Sequence, residues 1–395
     1  MSELKSNQEK IEVDLDRYAF TGGEDDVISG LDRITPEERE QLLMAGVDVS
    51  RQGRSGTFLQ FDHAKVHCSS CQQGVEVLGI NDALAKYNGL PEYFWKAVDK
   101  DQDEFTRASA DQKTQGGYFI RTEKGAKVTE PVQSCLFIKG ENTGQNVHNV
   151  VVVEEDSEVH IITGCATSHD VVSAMHLGIS EFYIKKGGKL TFTMIHNWGE
   201  DVVVRPRTVG IVEEDGVFLN NYILLKKVKS VQSYPTIHLN GRGAVARFNA
   251  VIVTPTGSHV DTGNRIILNA PDTRGEIISR TITTGGMNIA RGEIVGNAVP
   301  AKGHLECKGL ILGDGVIHAI PELKGTRTGV ELSHEAAVGK IAQEEIEYLM
   351  ARGLDEDEAT STIVRGFLNV DIMGLPKELK ESIDRTIAEH EGEMF

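Results

Sequence analysis

Cysteine is scarce in this chain: there are five in 395 residues, at positions 68, 71, 135, 165 and 307. An odd, sparse set excludes a disulfide framework. It suits a reducing compartment, where thiols stay available for metal or sulfur chemistry. Long apolar runs are missing too; the four valines at 150–153 are far too few to cross a bilayer. Positive charge is in deficit, with a formal net charge of -18. That excludes a general nucleic-acid binder and a protein drawn to anionic membranes. The opening Met1-Ser2-Glu3-Leu4-Lys5 has no apolar core, so no secretory peptide is expected and the expected location is cytoplasmic. Nucleotide motifs are also lacking. Gly188-Lys189 is followed by Leu190 and Gly339-Lys340 by Ile341, so neither completes a phosphate-binding loop. No dinucleotide fingerprint occurs. ATP hydrolysis by this chain itself is not expected.

What remains is an ordinary globular composition, long enough for two or three domains. Residues 1–115 form a partly helical N-terminal region. Thr35, Pro36 and Glu38 predict a capped helix start. Residues 56–61 read as extended. Asn81 is expected to cap a helix over 82–87, a second short helix is expected over 90–98 with Trp95 in its core, and 101–115 is a polar connection. From 116 to 330 the pattern changes to short strands, such as 150–153, 159–162, 189–195, 248–253 and 265–268, separated by Gly, Asn, Asp or charged turns. More than 200 residues of short strands exceed a typical sandwich. A β-solenoid is favoured, although no strict short repeat is present. Residues 331–395 turn helical. Asp355 and Glu358 suggest a capping box, and Ala359, Ile363, Val364, Phe367 and Leu368 share one apolar face. Pro376 starts a further predicted helix with Leu379, Ile383 and Ile387 on one side. These faces either pack within the domain or meet a partner.

The chemistry-bearing run is His304-Leu305-Glu306-Cys307-Lys308-Gly309, followed about 25 residues on by Ser333-His334-Glu335-Ala336. A thiolate, an imidazole and a carboxylate suit iron and a nascent iron–sulfur centre. On a strand His334 and Glu335 would face opposite ways; at a bend or helix start they could converge. The bland alternatives are a core cysteine and an exposed turn. His67-Cys68-Ser69-Ser70-Cys71 carries a Cys-x-x-Cys, but no second pair completes a tetrahedral metal site. Cys135 and Cys165 are expected in the core. Asp261, Asp272 and Glu276 leave open a solenoid enzyme acting on carbohydrate.

Further segments carry a resemblance: Glu141-Asn142-Thr143-Gly144-Gln145, Gly164-Cys165-Ala166-Thr167, Asn197-Trp198, Asp261-Thr262-Gly263, Ala290-Arg291-Gly292, Cys307, Ser333-His334-Glu335-Ala336, Met350-Ala351-Arg352-Gly353-Leu354 and Ile363-Val364-Arg365-Gly366-Phe367. In this order they resemble the SufB/SufD family of iron–sulfur cluster assembly scaffolds, archaeal SufB-like type, over roughly residues 56–379. The resemblance implies a mainly β fold, a right-handed parallel β-helix flanked by helical N- and C-terminal regions. It implies a scaffold, not an enzyme, that builds a nascent cluster and passes it to acceptor proteins. It implies dimerisation through the β-helix and docking of a SufC-like ABC ATPase on the C-terminal helices, so ATP enters only through that partner. By residue, Cys307 resembles the cluster-site cysteine, His334 the interface histidine and Glu335 the adjacent glutamate. His318 falls where bacterial SufB tends to have histidine, and is a weaker candidate metal ligand.

The ATPase contact is expected around the face of Ile363, Val364 and Phe367 and its polar margins at Arg352, Asp355 and Arg365. The chain departs from the bacterial pattern at Ser333, which replaces a glutamate. Ile184 stands at the sulfur-accepting cysteine, and His196 at the glutamine of a Gln-Asn-Trp motif. SufB-like and SufD-like site residues on one chain suit a homodimer. A structural partner that only positions the ATPase is the nearest alternative function.

Overall fold

The computed structural model describes residues 13–20, 30–31, 34–112 and 115–368. Its centre is a β-solenoid of about eight turns, with helices toward both ends. Among the described residues ten strands form one sheet and eleven the other. Nearly all pairings are parallel, the exceptions being the hairpin Gly56–Phe61 with Ala64–Ser70 and the pair Val75–Gly79 with Tyr118–Thr122. Lys189 aligns with Val217 and Val217 with Val245, a step of 28 residues per turn. Ala301 aligns with Val330, a step of 29. The repeat is therefore one of geometry, which is why no short motif announces it.

Alternation builds the walls. In strand Ala301–Ile311, Ala301, Gly303, Leu305 and Cys307 face the lumen while Lys302, His304, Glu306 and Lys308 face outward. The unbroken valine run within Thr143–Val153 is explained by burial on both sides. Val147, Val151 and Val153 fill the lumen, and Val150 and Val152 pack under Ile80, Ala83 and Leu90 on the outside. Phe182, Phe192, Phe218 and Phe248 stack inside, with centroids 4.8 to 5.8 Å apart. Outside, Asn240, Asn269, Asn297 and Thr326 form a hydrogen-bonded ladder at 2.8, 2.9 and 3.1 Å, holding successive turns in register.

The helix Pro36–Met44 has the expected capping box of Thr35 and Glu38. Asp355 and Glu358 bond reciprocally at 3.0 and 2.8 Å ahead of helix Glu356–Leu368. The predicted helix from Pro376 lies outside the described residues. Three expectations need correction. The helix after residue 79 is Ile80–Lys86, and Asn81 does not cap it; its side-chain amide donates to the Gln115 carbonyl at 3.0 Å. The polar connection contains a helix, Glu104–Asp111, capped by Asp103. Residues 90–98 are not helical. Leu90 and Trp95 have φ of 48° and 54°, and the amides of Trp95, Lys96, Ala97 and Val98 all donate to the buried Glu181 carboxylate at 2.6 to 3.0 Å. A carboxylate reaching in from a distant strand takes donors that a helix would have given to its own carbonyls. Trp95 accordingly lies outside any helix, edge-on to His148.

The apolar face of Glu356–Leu368 is largely used internally. Val364, Phe367 and Leu368 pack on Ile223, Val251, Ile282 and Leu310 of the outer sheet surface. β-structure continues through strand Val330–Gly339, and the next helix begins at Gln343.

Candidate functional site

Cys307 lies second from the end of its sheet. Its neighbours in register are Ser279 on one side and Ala336 on the other. In-register neighbours of a parallel sheet project to the same face, so Cys307 belongs to a lumen row that runs Met194, Tyr222, Ala250, Ser279, Cys307. It is 2% exposed. Burial pushes the thiol up to about 11, Glu306 adds to the effect, and Arg280 partly offsets it. Basic groups close to a thiol would lower its pKa, and here they do not prevail. The basic groups exist, but Arg280 and Lys308 stand on the outer face, opposite the sulfur. Metal binding at Cys307 has to displace a proton.

His334 and Glu335 lie within the last strand, so they diverge. Leu305 aligns with His334 and Glu306 with Glu335. His334 therefore shares the lumen side with Cys307, offset by one strand and two residues, and is exposed because the lumen ends there. Glu335 is on the outer side, with Lys308 at 3.4 Å. Lys308 also reaches Glu306 at 3.3 Å, and Arg280 pairs with Glu306. His304 bonds Ser333 at 2.9 Å on the same outer face. Sequence reasoning missed this charged row, although the alternation of 302, 304, 306 and 308 with the 29-residue step would have placed it. His318 lies exposed on the other sheet, in register with Ile289. The fold thus brings Cys307 and His334 to one face and leaves Glu335 and His318 elsewhere. No group of three or more His, Cys, Asp or Glu that could hold a metal ion occurs among the described residues.

Among the described residues the strands Val316–Gly325 and Val330–Gly339 have one strand neighbour each, so the described solenoid ends in two open edges. Val316 and Val338 are exposed on these edges. Further back, a partly open cavity of about 70 Å³ lies among lumen residues. Cys165, His176, Met194, His196, Tyr222 and Ser279 are among the residues lining it.

Cys68 and Cys71 do not form a clip. Cys68 is on the strand Ala64–Ser70 and gives its thiol hydrogen to the Val77 carbonyl at 3.2 Å, while Cys71 is exposed just beyond. Three residues of extended chain span roughly 10 Å, beyond the reach of a disulfide. The carboxylates considered for carbohydrate chemistry are each held by an arginine: Asp261 by Arg291, Asp272 by Arg242 and Glu276 by Arg247. No helix of the described residues is long and apolar enough to cross a membrane.

The fold is a parallel β-solenoid flanked by helices, with a buried thiol one strand in from its end. A family model described as "SUF system FeS cluster assembly, SufBD core domain" matches residues 136–367. An iron-sulfur cluster assembly SufBD family protein of Archaeoglobus fulgidus is 54% identical over 351 residues, covering 89% of this chain and 94% of the relative. One from Methanothermobacter thermautotrophicus (strain Delta H) is 46% identical over 383 residues, covering 95% and 93%. The iron-sulfur cluster assembly protein SufB of Bacillus subtilis is 30% identical over 362 residues, covering 90% and 76%. The chain belongs to the SufBD family of iron–sulfur cluster assembly proteins.

Proposed function

We propose that this chain is the scaffold subunit of a SUF-type assembly complex: it builds a nascent iron–sulfur cluster at Cys307 and passes it to acceptor proteins. One observation carries the reading: Cys307 and His334 share the lumen side of the last two strands, beside two open edges. One thiol and one imidazole cannot hold a cluster, so the ligand set is completed by a second copy docked on the same end. In that homodimer, Cys307 of one copy meets His334 and Glu335 of the other, with His318 on the neighbouring edge strand. Nitrogen and oxygen ligands hold iron–sulfur units less firmly than thiolates do, which suits a site that must release its product. The rival, a partner that only positions the ATPase, draws on the burial and protonation of Cys307; anaerobic reconstitution with iron and sulfide separates the two.

The dimer makes its own prediction. An isologous contact across the open edges buries Val316 and Val338. The native chain is expected at twice the chain mass by light scattering, and the double variant Val316→Lys, Val338→Lys at the chain mass. A strictly monomeric native chain at micromolar concentration contradicts the dimer.

Residues 331–395, in this reading, form the region that docks an ABC-type ATPase, with 1–115 and 116–330 as the N-terminal region and the solenoid core. Val364 and Phe367 are committed to internal packing, so the contact falls on the exposed margin at Arg352, Asp355 and Arg365, with Ile363 half-buried beside it. The double charge reversal Arg352→Glu, Arg365→Glu leaves the packed face intact. It is expected to abolish co-purification with the ATPase, and unchanged co-purification would remove this surface from the proposal. Reduced cysteines fit a cytoplasmic setting.

A further inference from the structure

Cys165 is the second lumen thiol, and cluster assembly at Cys307 gives it no task. It lies five strand separations from that site, one step to the strand of Met194 and then along the lumen row through Tyr222, Ala250 and Ser279 to Cys307, roughly 24 Å at the spacing of neighbouring strands. Around Cys165 the fold gathers soft donors at the cavity. Its Sγ is 3.7 Å from the thioether sulfur of Met194. Two sulfurs so spaced, each about 2.3 Å from a common ion as in a metal–thiolate bond, subtend an angle of roughly 107°. That angle lies between tetrahedral and trigonal values. Both side chains line the 70 Å³ cavity.

A histidine lines the same cavity. His176 is 3% exposed and lines the cavity from the opposite sheet. The Gln145 amide nitrogen donates to the carbonyls of Asp62 and Phe137 at 2.9 and 3.2 Å, which leaves its oxygen to accept from His176 Nδ1–H at 2.9 Å. Nε2 of the neutral ring therefore carries a lone pair. Burial pulls His176 down to about 3, so the ring stays neutral at physiological pH. Nε2 looks across Gly178, where an added Cβ would come within 2.8 Å of it, and Gly178 also lines the cavity. Trp198 packs on the rings of both His176 and His196.

We propose that this cavity binds a thiophilic monovalent metal ion, copper(I) in the test below, through Cys165 Sγ and Met194 Sδ with His176 Nε2 as third donor. Thiolate and thioether together select copper(I) over the harder divalent ions, and neutral imidazole is compatible with it. Binding forms one copper–thiolate bond and breaks one S–H bond. The proton leaves to solvent, and no electron is transferred. The thioether makes this set different from the iron ligands proposed at Cys307.

The full chain carrying Cys68→Ser, Cys71→Ser and Cys307→Ser is titrated anaerobically with the copper(I)–bicinchoninate complex. One equivalent of copper(I) per chain is expected to transfer, and X-ray absorption is expected to show two sulfur neighbours and one nitrogen. Adding Cys165→Ser, an isosteric change monitored by circular dichroism, is expected to lower the affinity by about 100-fold or more, and Met194→Leu and His176→Phe by about 10-fold or more each. Undiminished binding in the Cys165→Ser variant overturns the site, and a single sulfur neighbour overturns the pairing with Met194. Neither result bears on cluster assembly, which is read from the iron–sulfide chromophore of the native chain.

Discussion

Cys307→Ala, reconstituted anaerobically with iron and sulfide, is expected to yield no visible-range chromophore while keeping its fold and its oligomeric mass. Among the described residues the thiol is the one cysteine toward the open end of the lumen. Its loss removes the covalent anchor of a nascent cluster, and neither His334 nor Glu335 can replace it. The structural cost is small. The side chain is small and faces Ser279 and Ala336 across the ladder, so truncation costs roughly 1 kcal/mol of burial. His334→Ala is expected to weaken the chromophore severely, and the pair Cys68→Ala, Cys71→Ala to leave it intact. A chromophore that survives Cys307→Ala but is lost in the Cys68 and Cys71 pair would place the site in the wrong region.

The second large effect concerns Glu181, far from that site. Its carboxylate is fully buried and accepts from four successive backbone amides, from the Tyr183 hydroxyl at 3.2 Å and from His148 Nε2 at 2.7 Å. Glu181→Ala strands the four amides and leaves His148 buried between Phe94 and Trp95 without its partner, while the Tyr183 hydroxyl keeps the Tyr93 carbonyl at 2.7 Å. Each buried donor left unsatisfied costs about 1–3 kcal/mol, so several together are expected to cost about 3–5 kcal/mol after relaxation. Urea unfolding should show a loss of that size, and limited proteolysis should cut within 90–98. A loss below about 1 kcal/mol, the scale of an average substitution, would show that the clamp is dispensable.

The same pair sets a pH dependence. Burial holds the His148 imidazole below its ordinary value, against the pull of Glu181. Its Nδ1 has no hydrogen-bond partner, so a second ring proton would be buried unsatisfied. Desolvation raises Glu181, but His148 and the amides outweigh it and hold the carboxyl below its usual range. Both folded values are depressed, so the unfolded chain binds more protons as pH falls. Stability is fully present above about pH 6.5, the ordinary histidine value. It declines first as His148 is forced to charge, then further in the carboxylate range. The urea midpoint should be lower at pH 5 than at pH 7.5 in the native chain. In Glu181→Ala the upward pull on His148 is gone, so the part of this dependence owed to His148 should be larger and the part in the carboxylate range lost.

Much of the architecture is legible locally. Thr35, Pro36 and Glu38 specify a helix start because every group in that capping box lies within four residues. Asp355 and Glu358 do the same. Short strands between turn residues indicate a solenoid because alternation is a property of the strand itself. The region 90–98 misleads for the opposite reason. Its helix-compatible residues surrender their amides to Glu181, more than 80 positions away. The helix Glu104–Asp111 is hidden because its sequence is polar and its capping partner Thr106 is an unusual third residue for a capping box.

The candidate site divides along the same line. Sequence by itself singled out Cys307, His334 and Glu335 as the candidate site residues, since their identity and spacing are properties of the chain. It also determined that no phosphate-binding loop accompanies them. Only the tertiary structure decided which way they point. A strand sends adjacent residues to opposite faces, so His334 joins Cys307 on the lumen side while Glu335 joins Lys308 outside. The solenoid's winding brings residues 29 apart side by side and buries the Cys307 thiol away from the basic groups beside it in sequence, which is why its affinity for a proton rises instead of falling.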